Sequence, residues 1–132
     1  MKTIVIGSDQ SASALTRSIE HFVRSMGYEV EPLATDDPCD HSYHAVADAL
    51  CHQVIQSGYQ KEGIALCASS IGTAIAANKY AGIRASAWHR HLSQQQTPAL
   101  FHCNLLCLGT RFMEPEMVRE VIQKWLTFNT TK

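Results

Sequence analysis

The sequence predicts an α/β fold of three layers, α/β/α, with a five-stranded parallel sheet covered by helices on both faces. Three observations predict it. Short apolar runs alternate with longer segments whose apolar residues recur at three- and four-residue steps. The runs are unbroken and rich in β-branched residues, as in strands buried on both faces. Serine or glycine marks the ends of several helical segments.

The elements follow in order. Thr3-Ile4-Val5-Ile6-Gly7 is the first strand. Ser11 or Ser13 caps a helix in which Leu15, Ile19, Phe22, Val23 and Met26 share one side until Gly27 stops it. Tyr28 to Leu33 is the second strand and leads into the polar turn Thr35-Asp36-Asp37-Pro38. A helix from about Ser42 to Ser57 carries Ala45, Val46, Ala49, Leu50, Val54 and Ile55, with Gly58 beyond its end. Gly63 to Cys67 is strand three, followed by a small-residue turn and a helix from Ile71 to Lys79. Ile83 to Trp88 reads as strand four, His91 to about Phe101 as a helix, and Leu105 to Leu108 as strand five. Glu114-Pro115 opens the last helix, which carries Met117, Val118, Val121, Ile122, Trp125 and Leu126. The result is a Rossmann-like single domain over residues 1–132.

Composition narrows the function. Eleven Lys+Arg against twelve Asp+Glu give a net charge of -1, which argues against a general nucleic-acid or polybasic membrane surface and permits self-association. The apolar stretch after Met1-Lys2 is only Ile4 to Ile6, too short for a signal peptide, and no run approaches a membrane span. The cysteines, Cys39, Cys51, Cys67, Cys103 and Cys107, are odd in number and form no Cys-x-x-Cys pair. Free thiols in the cytoplasm are the resulting expectation.

Right-handed crossovers bring the C-terminal ends of parallel strands to one edge, where open α/β sheets bind ligands. That edge collects Gly7 to Gln10, Thr35 to His41, Cys67 to Gly72, Trp88 to His91 and Gly109 to Arg111. The most informative stretch runs from Leu66-Cys67-Ala68-Ser69-Ser70-Ile71-Gly72-Thr73-Ala74 to Asn78-Lys79. A thiol ends a buried strand, and small residues then open a helix whose unbonded N–H groups and dipole form an anion-stabilising cradle. The same field favours a thiolate. A base beside an oxyanion cradle is what proton abstraction next to a carbonyl requires. The alternative is a buried strand cysteine before an ordinary tight turn.

Four ordered stretches carry a resemblance. Gly7-Ser8-Asp9, the Cys67 segment through Ala76-Ala77-Asn78-Lys79, Gly82-Ile83-Arg84-Ala85, and Asn104-Leu105-Leu106 with Gly109-Thr110-Arg111 together resemble the family of type B ribose-5-phosphate isomerase and the galactose-6-phosphate isomerase subunits. The similarity reaches to about Leu126. It implies aldose–ketose isomerisation through an enediolate, with Cys67 moving a proton between C1 and C2 and Ser69 as hydroxyl partner. It implies backbone N–H groups from Ser70 to Ala74 around the enediolate, and Asp9 against the sugar hydroxyls. Gln10, His41, Ala68, Asn78, His102 and Arg111 complete the expected substrate shell. The family also implies a homodimer or homotetramer with its site between subunits.

The chain departs from the family pattern in places. Gln10 stands where a phosphate-assisting histidine follows the aspartate, and His41 aligns with a tyrosine. Counting back from Asn104, the ring-opening His-Asn pair falls on Leu100 and Phe101, and no arginine follows Arg119 to match the phosphate-holding tail. His41, His44, His89, His91 and His102 are read as lying near the ligand edge, where any could act as acid, base or anion partner. His89-Arg90-His91 is the densest cationic cluster, with a solvated turn as the competing reading. Asp36, Asp37 and Asp40 read as a solvated turn, and His21 and His52 as helix-surface residues. Zinc on His89, His91 and Cys103 lacks ligand spacing, and neither a dinucleotide fingerprint nor a phosphate loop is present.

The expectation is therefore an isomerase of a small sugar or sugar phosphate, of the ribose 5-phosphate/ribulose 5-phosphate type, using neither metal nor organic cofactor. Two alternatives stand beside it. One is a non-catalytic member or partner subunit of a heteromeric isomerase. The other is an isomerase of a non-phosphorylated sugar.

Overall fold

The structure is a computed structural model that describes residues 2–33, 42–88 and 102–130. Its elements in chain order are β1 (Thr3–Ser8), a 3-10 turn (Gln10–Ala12), α1 (Ser13–Ser25), β2 (Glu29–Pro32), α2 (Tyr43–Gln56), β3 (Lys61–Cys67), α3 (Ser70–Ala77), β4 (Ala85–Trp88), β5 (Leu105–Gly109), a second 3-10 turn (Thr110–Phe112) and α4 (Pro115–Thr130). The five strands form one sheet in the order β2-β1-β3-β5-β4, and every pairing is parallel. The loop expected at Thr35 to His41 and the helix expected from His91 to Phe101 lie outside the described residues, as do Cys39, Asp36, Asp37, Asp40 and the His89-Arg90-His91 cluster.

Strand parity distributes the core. Successive side chains of a strand point to opposite faces. Ile4, Ile6, Ile64, Leu66, Leu106 and Leu108 therefore meet Ile19 and Val23 of α1 and Val118, Ile122 and Trp125 of α4. Val5, Ala65, Cys67, Leu105 and Cys107 meet Val46, Leu50 and Val54 of α2 and Ala74 and Ala77 of α3. Trp125 also donates its indole N–H to the Cys103 carbonyl at 3.3 Å, which fixes α4 against the start of β5.

Several boundaries differ from expectation for local reasons. Neither Ser11 nor Ser13 caps α1. The 3-10 turn runs directly into that helix, so the capping acceptor is Asp9, one turn earlier, receiving the Ser11 N–H. β3 begins at Lys61 because pairing with β1 extends to Thr3. β4 begins only at Ala85, since Gly82 takes a positive φ of 83° in the turn before it. As expected, Ser42 caps α2 through the Ala45 N–H, and Gly27 ends α1 with a φ of 94°. Among the described residues no helix is long and apolar enough to cross a membrane.

Buried thiols give the fold a pH dependence. Burial pushes Cys51 up to about 12, and Cys67 and Cys103 up to about 11, from an ordinary 9.0. Above about pH 9 the unfolded chain sheds these protons first, so stability present below that pH is lost as pH rises toward the folded values. Urea unfolding at pH 8 and pH 10 tests this. The midpoint falls at the higher pH, with each buried thiol contributing at most about 1.4 kcal/mol per pH unit; an unchanged midpoint contradicts the account.

Candidate active site

The site forms where strand order reverses. β1 is flanked by β2 on one side and β3 on the other, so the connections leaving their C-terminal ends diverge and open a crevice there. Asp9 follows β1 and Cys67 ends β3, which places them on either side of that point.

Asp9 joins the two sides. Its backbone N–H donates to the Leu66 carbonyl at 3.2 Å. One carboxylate oxygen accepts the Ser11 N–H at 3.0 Å and the Ser11 hydroxyl. The other accepts the Ala68 N–H at 2.9 Å. The carboxylate expected to meet sugar hydroxyls is thus engaged in holding the turn after Cys67. From the 3-10 turn after β5, the Thr110 hydroxyl donates to the Cys67 carbonyl at 3.2 Å. Gly109 beside it keeps this junction close, since a Cβ there would stand 3.2 Å from both Ser70 Oγ and the Trp88 carbonyl oxygen and those groups would have to give way slightly.

Cys67 is fully buried on the α2/α3 side of the sheet. This corrects the expectation that the helix start dominates its ionisation. Desolvation pushes the thiol up to about 11, the Thr73 hydroxyl pulls it down, the Asp9 carboxylate raises it, and the Asp9 backbone N–H lowers it. Removing a thiolate from water outweighs the nearby donors.

α3 starts with Ser69 as its cap residue, in extended geometry and with no side-chain capping bond. The donors left without helical acceptors are those of the cap and the first three helical residues, Ser69, Ser70, Ile71 and Gly72. The cradle expected over Ser70 to Ala74 is therefore shifted. Thr73 and Ala74 lie deep enough in the helix for their N–H groups to bond within it. Ser69 is exposed and Ala68 half-buried, whereas Ser70 and Thr73 are buried. Gln10 and Arg111 are exposed on 3-10 turns at this same edge, beyond β1 and β5.

Two expected substrate contacts lie at the other end of the sheet. Asn78 caps the C-terminus of α3, and its side-chain amide brackets Ala85, donating to the carbonyl at 3.0 Å and accepting from the N–H at 2.8 Å. Asn104 does the same for the turn before β4, accepting the Arg84 N–H at 2.8 Å and donating to the Gly82 carbonyl at 3.0 Å. His102 precedes β5, packs edge-to-face on Phe128, and offers its carbonyl to Arg84 Nε. A residue before a parallel strand sits opposite the ligand edge, which corrects the placement of His102 there. His41 lies outside the described residues.

Thr73, expected in the cradle for its backbone N–H, also carries a buried hydroxyl that donates to the Ser69 carbonyl at 3.0 Å. A surface groove between α2 and α3 is lined by His44, Asp48, Ala76, Lys79 and Tyr80, and a cleft beyond β1 and β2 by Ser8, Thr16, Glu20 and Leu33 among others. Cys67 lines neither. No cluster of three His, Cys, Asp or Glu side chains suited to a metal occurs among the described residues.

Comparison with known proteins covers nearly the whole chain. Residues 4–132 match the family model described as Ribose/Galactose Isomerase. The chain is 35% identical over 127 residues to D-erythrulose-4-phosphate isomerase of Pectobacterium atrosepticum, covering 96% of this chain and 83% of that protein. It is 30% identical over 128 residues to ribose-5-phosphate isomerase B of Escherichia coli, covering 96% and 84%. The fold superposes on type B ribose 5-phosphate isomerase of Leishmania infantum with a TM-score of 0.80 at 29% identity, over 96% of this chain and 83% of that one.

The Asp9 bridge yields a direct test. Asp9→Asn places an amide where two backbone N–H groups need an acceptor. It lowers unfolding free energy by about 1 kcal/mol, from the loss of a charged acceptor shared by the half-buried Ala68 N–H and the exposed Ser11 N–H. Chemical denaturation measures this, and a stability within 0.5 kcal/mol of the parent argues that the bridge holds nothing together.

Proposed function

The chain belongs to the ribose/galactose isomerase family, and from that premise we propose that it interconverts the aldose and ketose forms of a short sugar phosphate through an enediolate. One observation carries the reading. The end of β3, bearing Cys67, and the unbonded start of α3 flank each other at the point where strand order reverses.

The chemistry follows from that juxtaposition. The Cys67 thiolate takes the proton from the carbon beside the carbonyl of the opened sugar, becoming a thiol. The electron pair moves onto oxygen, and the enediolate is held by N–H groups from Ser69 to Gly72. Cys67 returns the proton to the neighbouring carbon while the exposed Ser69 hydroxyl passes the proton between the two oxygens. Arg111, on the same edge, receives the distal anion. The thiol is closed from solvent in the free chain, so the sugar reaches it as the turn beginning at Ala68 yields.

The four-carbon sugar phosphate is the favoured substrate, because the relative named for erythrulose 4-phosphate shares more of its residues with this chain than the one named for ribose 5-phosphate. The active form is a homodimer. Its support is the apolar stripe of Ile71 and Ile75, 57% and 60% exposed on α3, with Tyr43 of α2 packed beside Gly72. The free thiols among the described residues suit a reducing cytoplasm.

Complete burial of Cys67 favours a second reading, in which the chain binds sugar and completes a paralogous subunit's site without turnover of its own. A coupled assay of the purified chain separates the two. Turnover of tetrulose 4-phosphate exceeding that of ribose 5-phosphate, with at least a 1,000-fold loss (about 4 kcal/mol of barrier) in a folded Cys67→Ala variant, supports the isomerase. No turnover of any phosphorylated or free tetrose, pentose or hexose supports the binding subunit.

The pH profile adds an independent check. A base that ionises at about 11 in the free protein is mostly protonated at neutrality. Log kcat/KM therefore rises by about one per pH unit from neutrality toward pH 10, since this ratio reports the free enzyme's groups. A profile already flat at pH 7 removes Cys67 as the base.

A further inference from the structure

Among the described residues four polar side chains are buried: Glu62, Ser70, Thr73 and Asn104. Three have partners. Glu62 accepts from Lys2 Nζ at 3.1 Å, Thr73 donates to the Ser69 carbonyl at 3.0 Å, and Asn104 brackets the turn before β4. Ser70 is only 3% exposed, yet its hydroxyl has no hydrogen-bond partner among the described residues. Its oxygen is not sealed off, so it keeps contact with the space at the strand ends. A buried hydroxyl left unpaired marks a place for water or a ligand. Ser70 is also the first residue of α3, where N–H groups are free of helical acceptors. Its side chain faces the end of β5. The Cβ that Gly109 lacks would stand 3.2 Å from Ser70 Oγ and 3.4 Å from Ser70 N, with the Trp88 carbonyl oxygen bordering the same space.

We propose that the Ser70 hydroxyl binds the substrate hydroxyl on the carbon next to the reacting pair, and so selects which mirror form of a tetrulose phosphate the site takes. This rests on the reading of the site as an isomerase. There, Cys67 and the N–H groups from Ser69 to Gly72 serve the two carbons that exchange a proton. The distal anion goes to Arg111. Ser70 Oγ is directed at Gly109, from which the chain continues through Thr110 to Arg111. A four-carbon ketose phosphate has one carbon between its reacting pair and its phosphate-bearing end, namely C3. A sugar hydroxyl both donates and accepts, as serine does, so the C3 hydroxyl completes the unpaired group. C3 is also the sole stereocentre of tetrulose 4-phosphate, and inverting it turns that hydroxyl away from Ser70. A site built to bond a substrate hydroxyl rejects a ligand that does not present one.

Ser70→Ala removes the hydroxyl and breaks no bond within the protein, so its urea midpoint stays at or above the parent's. Both enantiomers of tetrulose 4-phosphate are given to parent and variant, in the coupled assay and in titration calorimetry. The expected result is a parent that prefers one enantiomer. In Ser70→Ala, kcat/KM and affinity for that form fall about tenfold, the size of one lost hydrogen bond. The other form is unaffected, so the preference shrinks by the same factor. A parent without preference, a preference kept in folded Ser70→Ala, or a lower urea midpoint in the variant overturns the proposal. If the parent turns over one form and Ser70→Ala keeps the preference, the isomerase reading stands without Ser70. If neither form is turned over but the parent's binding preference is lost in Ser70→Ala, Ser70 stands and the isomerase reading falls. A parent that neither binds nor converts either form overturns both.

Discussion

The carboxylate of Asp9 is the constraint on which the candidate site depends. A parallel sheet fixes the directions of β1 and β3, but their trailing loops are free to diverge once the ladder ends at Ser8 and Leu66. Asp9 prevents this by accepting from Ser11 on one oxygen and Ala68 on the other. Charged acceptors make stronger bonds than neutral ones, so one side chain suffices to hold both loops. The turn that opens α3 is thereby held at Cys67, and Thr110 fixes the same residue from the 3-10 turn after β5.

Much of this was legible in the sequence, and the exceptions share a physical character. Continuous apolar runs and helical periodicity locate the described strands and helices because burial on both faces leaves no other pattern for these residues. Strand parity places Cys67 and Cys107 on one face, the α2/α3 side. The strand order is not written in any local pattern; it follows from pairing across the whole sheet, and with it comes the crevice between β1 and β3. The likeness to a sugar isomerase family was legible from four ordered motifs, and the match over residues 4–132 agrees with it.

Side-chain roles were harder to read than positions. Asn78, Arg84 and Asn104 belong to stretches that carry the family resemblance, yet here they tie β4 to its neighbours at the edge opposite Cys67. A motif reports that a residue is constrained, and an amide that satisfies a strand's first N–H is constrained as tightly as a ligand contact. Asp9 shows the same ambiguity at the right end of the sheet. The thiol's ionisation depends on desolvation against a few nearby donors, and that balance is set only once α2 and α3 are packed over the strand.

The bridge between Asp9 and Ala68 also spans 59 positions of sequence. Joining them means closing a long loop before any contact rewards it, the situation that slows assembly of sheets with distant partners. During synthesis, β1 emerges well before its partners, leaving an apolar strand unpaired on both sides until β2 follows α1 and on one side until β3 follows α2. The crevice is thus completed late in biogenesis, and the nascent chain's exposure to misassociation is concentrated in the interval between those two strands.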